Sequence, residues 1–182
     1  MIRTLKQREV VRNWLRLVTL TNIMQRTFTE TQRFTQWWLW ILLLAIAALP
    51  IWGLIQQIGM GEPWGNQPLS DTGLILFTVF TFGLIGFFLS MKLKTQIDST
   101  GITVRFTPFV KRQVAWADIE STEVLNYGFV GGWGIRIGTK YGTVYNMKGK
   151  VGLAIELKNG KKFLVGTQKE QELREVMNSL GR

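Results

Sequence analysis

The chain has 182 residues, 46% of them hydrophobic, a net charge of +10, and neither cysteine nor histidine. This excludes disulfides, thiol nucleophiles, an imidazole base and zinc sites of the usual ligand types, and the length leaves room for one moderate domain beside a membrane anchor. The basic balance is the ordinary one of a membrane protein with cytoplasmic flanks, so no nucleic-acid partner is expected.

Residues 1–36 read as a basic cytoplasmic N-terminal segment. Within it, residues 5–26 have Val10, Val11, Trp14, Leu17 and Val18 near one side and Arg8, Arg12 and Arg16 near the other, the pattern of a basic amphipathic helix. Such a helix can lie in the headgroup layer or pack on a cytoplasmic domain, and an extension with little structure is the third reading. The stretch 27–36 then reads as a polar approach to the membrane, with Phe28 and Phe34 as anchors.

Residues 37–91 read as a transmembrane hairpin, with helices over 37–58 and 73–91. Neither run contains an ionisable side chain, and about 20 helical residues cross a hydrocarbon layer of about 30 Å. Trp37, Trp38 and Trp40 at one end, and Trp52 and Trp64 toward the other, suit the interfacial position of amphipathic rings. Pro50 is expected to bend the first helix or mark its outer third, and Ser70 or Asp71 to cap the second. Gly83 and Gly86 are expected to face Ala45 and Ala48 and allow close approach. Thr78 and Thr81 are the only polar groups in mid-helix, so a transport pathway is not expected. The turn between the helices carries only Glu62 and Asp71, whereas both flanks are rich in Lys and Arg. Both termini are therefore expected in the cytoplasm.

From Lys92 onward the apolar period becomes two. Lys92–Asp98 and Gly101–Thr107 alternate about a tight turn; Val110–Trp116, Glu123–Tyr127, Ile135–Ile137, Val144–Asn146, Val151–Lys158 and Phe163–Val165 follow as further short strands. Asn159-Gly160 marks a hairpin. Lys169–Leu180 sets Leu173, Val176, Met177 and Leu180 on one helical face. Several short strands closed by one helix predict a small β-barrel plugged at one end.

The turn before Gly101-Ile102-Thr103-Val104, the Trp116-Ala117-Asp118-Ile119 corner, the Gly131–Arg136 and Asn159–Gln168 stretches and the closing helix together resemble the bacterial membrane-anchored pleckstrin-homology-like proteins, over about residues 28–182. The resemblance implies an α+β membrane protein: a two-helix transmembrane hairpin followed by a PH-like small β-barrel over 92–182, capped by a C-terminal helix. It also implies location in the bacterial cytoplasmic (inner) membrane, in a subgroup of unassigned role. In phosphoinositide-binding members the loop between the first two strands is basic, whereas Asp98-Ser99-Thr100 is short and acidic; headgroup specificity is not implied.

No catalytic, cofactor-binding or metal-binding residue is expected. Asp118, Glu120 and Glu123 stand close in sequence without a second polar cluster, and read as a solvated strand edge. The Gly128–Gly134 loop and Met147–Lys150 fail the dinucleotide and phosphate-loop patterns, because neither opens a helix. The residues expected to contact anionic lipid or a partner are Lys92, Lys94, Lys111, Arg112, Lys148, Lys150, Lys161 and Lys162, with Trp37, Trp38, Trp40 and Trp64 as interfacial anchors. The sequence thus predicts a non-enzymatic, membrane-tethered module that presents a cytoplasmic surface to a protein partner, whose identity is open, or to inner-leaflet lipid. The alternative is an accessory subunit that associates through its hairpin.

Overall fold

The computed structural model describes Trp14 and residues 27–182. Residues 1–13 and 15–26, where nearly all of the expected amphipathic helix falls, lie outside the described residues. The chain divides into two compact units: Arg33–Met91 forms one, and residues 27–32 join Lys92–Arg182 in the other. The division expected after residue 36 therefore falls after Gln32, and the hairpin is an insertion between two adjacent strands of one domain.

In the hairpin, α1 (Trp37–Leu54) runs into a π-helical turn at Ile55–Gly59, and α2 spans Asp71–Ser90. Both are long and apolar enough to cross a membrane. Ser70 caps α2 by accepting from the Gly73 N–H. Gln57 ties the tip together, donating to Leu69 O at 2.8 Å and Asp71 Oδ1 at 2.7 Å. Thr78 and Thr81 donate to the carbonyls of Leu74 and Phe77 one turn back, so both hydroxyls are satisfied within their own helix. Phe34 packs edge-on against Phe88.

The helix contact differs from the expected one. Leu43, Ala47, Pro50 and Gly53 are buried on α1, and Leu74 and Thr81 on α2. Gly83 and Gly86 have open space where a Cβ would stand. The close approach occurs at Gly53, where a Cβ would meet the Trp64 ring at 2.8 Å and Leu74 Cδ1 at 3.2 Å. Only glycine accepts that neighbour.

From residue 27 onward the other unit has two sheets and a C-terminal helix. Its first sheet is an antiparallel meander of β1 (Phe28–Gln32), β2 (Lys92–Ile97), β3 (Gly101–Thr107) and β4 (Val110–Ala115). Its second contains β5 (Ile119–Asn126), β6 (Gly134–Thr139), β7 (Gly142–Asn146), β8 (Val151–Leu157) and β9 (Lys162–Thr167), in the order β5-β8-β9-β7-β6. The β7–β9 pair is parallel. It begins beside Gly142, where a Cβ would lie 2.1 Å from Lys162 O and φ is +75°, so a side chain is excluded twice over. The helix α3 (Glu170–Ser179) buries Leu173, Val176 and Met177.

The expected barrel is not closed. A 3₁₀ turn at Trp116–Asp118 carries the chain from β4 into the second sheet, and among the described residues no backbone ladder joins the two sheets. Side chains bridge them instead, among them those of β1, the strand expected to be a polar membrane approach. Phe28, Glu30 and Gln32 all point inward, with register Phe28↔Ile97 through Gln32↔Leu93. Phe28 is wholly buried, which corrects its expected place as a membrane anchor. Glu30 accepts from Thr167 Oγ1 at 2.6 Å and the Gln168 N–H at 2.9 Å. Gln32 Nε2 donates to Gly166 O at 2.7 Å, and Gln168 Nε2 donates to Gln32 Oε1. These bonds satisfy two buried polar side chains and fix β1 against the end of β9.

The second sheet is covered on both faces. On its outer side Val144 and Leu164 pack with Tyr127, Leu125, Val130, Tyr141 and Ala154. Tyr127 donates to Gly149 O and receives a hydrogen bond from Asn146 Nδ2; its burial pushes the phenol pKa up. The glycine-dense loop thus serves as a lid on the sheet.

Candidate anion-binding surface

Strand pairing brings together charges that are far apart in sequence. Lys94 of β2 pairs with Arg105 of β3, which pairs with Lys111 of β4. All three are exposed on the outer face of the first sheet, and Lys92 follows on the same face two residues before Lys94. Neighbouring strands are about 4.8 Å apart, so the three form a row roughly 10 Å across. The remaining outward positions of the sheet are Thr29 and Thr31, Gln96, Thr103 and Thr107, Gln113 and Ala115. No carboxylate stands among them, because the sole acid of these strands, Glu30, points inward. Like charges directly opposite are destabilising, so this row costs stability in the absence of an anion.

Lys111 and Arg112, adjacent in sequence, lie on opposite faces. Arg112 pairs with Val104 and points inward, its guanidinium carbon 4.0 Å from the centroid of the buried Phe163 ring. It lines an open cleft of about 370 Å³ with Lys158 and Lys161 of the β8–β9 turn. The other expected cations are elsewhere. Lys162 forms a cross-strand ion pair with Glu156 at 3.0 Å. Lys148 and Lys150 are exposed on the β7–β8 loop, whose backbone accepts hydrogen bonds from Tyr127.

Of the aromatic residues expected as anchors, Trp37 and Trp38 are exposed, Trp40 donates from Nε1 to Phe34 O at 3.1 Å, and Trp64 is half-buried on Gly53. Asp118 and Glu123 line different clefts, and among the described residues no three His, Cys, Asp or Glu side chains gather. Asp98 closes the β2–β3 turn on itself. Its carboxylate accepts from the Thr100 hydroxyl and from the Thr100 and Gly101 N–H groups, which hold its pKa below the usual value. The turn is therefore tightest with Asp98 ionised, and loosens only as pH falls through its lowered pKa, below the usual carboxylate value.

Arg105 and Lys158 were missing from the residues expected on sequence grounds. The alternation in Gly101–Thr107 identifies Arg105 as outward-facing, but only the register sets it between Lys94 and Lys111. No protein-family model matches the chain, and no curated protein matches it.

Proposed function

We propose that the chain is a non-enzymatic, membrane-tethered module of PH-like kind, anchored in the bacterial inner membrane by its hairpin, with both termini cytoplasmic. Its β domain presents the basic outer face of the first sheet to the anionic headgroups of the inner leaflet. The observation that carries this reading is the unbroken row Lys94–Arg105–Lys111 on a sheet face without a carboxylate. Its strand β2 begins one residue, Met91, after the end of α2. At about 3.3 Å per residue Lys94 is only about 7 Å along the strand from Lys92, within a Debye length of about 8 Å. Each cation near an anionic leaflet contributes about 1 kcal/mol.

Topology is tested by protease access. Trypsin added to inside-out membrane vesicles is expected to cut at the Lys and Arg sites beyond residue 92 and to leave a protected hairpin fragment. Cutting of those sites in right-side-out vesicles would refute the proposed orientation.

A second reading, an accessory subunit joined to a membrane complex through its hairpin, is favoured by one feature of α2. Gly83 and Gly86 are exposed with nothing against them, leaving a small-residue surface on that helix.

A further inference from the structure

We propose that the cleft between β4 and the β8–β9 turn binds a phosphate-bearing anion, with Arg112, Lys158 and Lys161 as its cationic contacts. The cleft holds about 370 Å³, the lower part of the range of small-ligand sites, which suits a phosphate with a small polar substituent. Three cations and one carboxylate, Asp118, line it. Among the described residues none of the three cations forms an ion pair: the ion pairs there join Lys162 to Glu156, Lys169 to Glu172 and Arg174 to Glu170.

Arg112 is the pre-positioned member. Its side chain is half-buried on the inner face of β4, and the cation–π contact with Phe163, 4.0 Å from guanidinium carbon to ring centroid, holds the head group over the ring. The contact uses none of its N–H donors, which leaves them for an acceptor, and a guanidinium pairs bidentately with phosphate. An inward-pointing charge on an edge strand also discourages edge-to-edge aggregation. That role accounts for Arg112 alone; it does not account for Lys158 and Lys161, which arrive at the same cleft from the other sheet.

Asn159 accepts the Lys161 N–H through Oδ1, which fixes its amide and leaves Nδ2 as a further donor. Asp118, as an acceptor, suits a hydroxyl beside the phosphate. The ligand class is therefore a phosphate ester that carries a hydroxyl, supplied either as a free ester or as the glycerophosphate headgroup of a lipid. This site is separate from the basic sheet face, since Lys111 and Arg112 point to opposite sides of β4.

The test uses the full-length protein in phosphatidylcholine nanodiscs, titrated calorimetrically with inorganic phosphate and with glycerol 3-phosphate. Saturable binding is expected, about tenfold weaker in Arg112→Gln and in Lys161→Gln, as loss of a charged hydrogen bond requires, and unchanged in Lys111→Gln. Lys161 is exposed, so its substitution tests the site even if Arg112→Gln perturbs packing on Phe163. Binding of the soluble ester identifies a free ligand. Failure of the soluble ester, with phosphatidylglycerol in the disc protecting Lys161 from acylation in the unsubstituted protein but not in Arg112→Gln, identifies a headgroup. Absence of both signals, or binding that survives both substitutions, would overturn the proposal. Loss of binding in Lys111→Gln with Arg112→Gln unaffected would do the same while leaving the basic-face reading intact.

Discussion

Phe28→Ala is expected to destabilise the β domain by about 3–5 kcal/mol, the usual cost of emptying a buried phenylalanine site. For a domain of this size that is a fall in melting temperature on the order of 15–30 °C. The effect follows from position: Phe28 is wholly buried opposite Ile97, on a strand whose next two inward residues, Glu30 and Gln32, bond to β9. The ring holds in place a strand separated from its partner by the entire hairpin. An anchor residue at the membrane surface would behave differently, since its loss would weaken membrane contact and leave the fold as it was. Circular dichroism melts of the full-length protein in nanodiscs separate the two cases, and an unchanged melt would remove Phe28 from the core.

Simultaneous Lys94→Thr, Arg105→Thr and Lys111→Thr substitution is expected to act on stability and binding in opposite directions. Threonine suits a strand, and two repulsive cross-strand pairs disappear, each worth about 0.2–1 kcal/mol. The domain should melt higher. Engagement of the anionic leaflet should fall by about 3 kcal/mol, on the order of 100-fold, at about 1 kcal/mol per charge. Because the chain has no cysteine, Gln113→Cys gives one dye position on the same face. Energy transfer from that dye to a headgroup dye reads engagement directly. A merely solvated face predicts the gain in stability with no change in transfer.

The hairpin was legible because its pattern is local: two charge-free runs of membrane length, a glycine- and proline-rich turn, and Ser70 at the start of α2. The strands after Lys92 and the closing helix were legible for the same reason, their periods of two and 3.6 showing on contiguous residues. β1 was not. Phe28-Thr29-Glu30-Thr31-Gln32 alternates in burial but not in polarity, since two of its three inward residues are polar, and its pairing partner lies beyond the hairpin. Barrel closure was illegible too, because it depends on which strands meet at the edges. The basic row lay between these cases. That Lys111 and Arg112 must point to opposite sides follows from the period of a strand, whereas the alignment of Lys94, Arg105 and Lys111 needs the register of three strands.

The proposed function requires that the outer face of the first sheet meet an anionic membrane surface. Its most direct measurement is the relaxation of a spin label at Gln113→Cys by a nickel chelate carried on lipid headgroups, in the full-length protein, compared between phosphatidylcholine discs and discs containing phosphatidylglycerol. A label at Glu120→Cys on β5 serves as the control. Stronger relaxation is expected at 113 in the anionic discs, abolished by high salt, with none of this dependence at 120. Equal relaxation at 113 in both kinds of disc would contradict the proposed function.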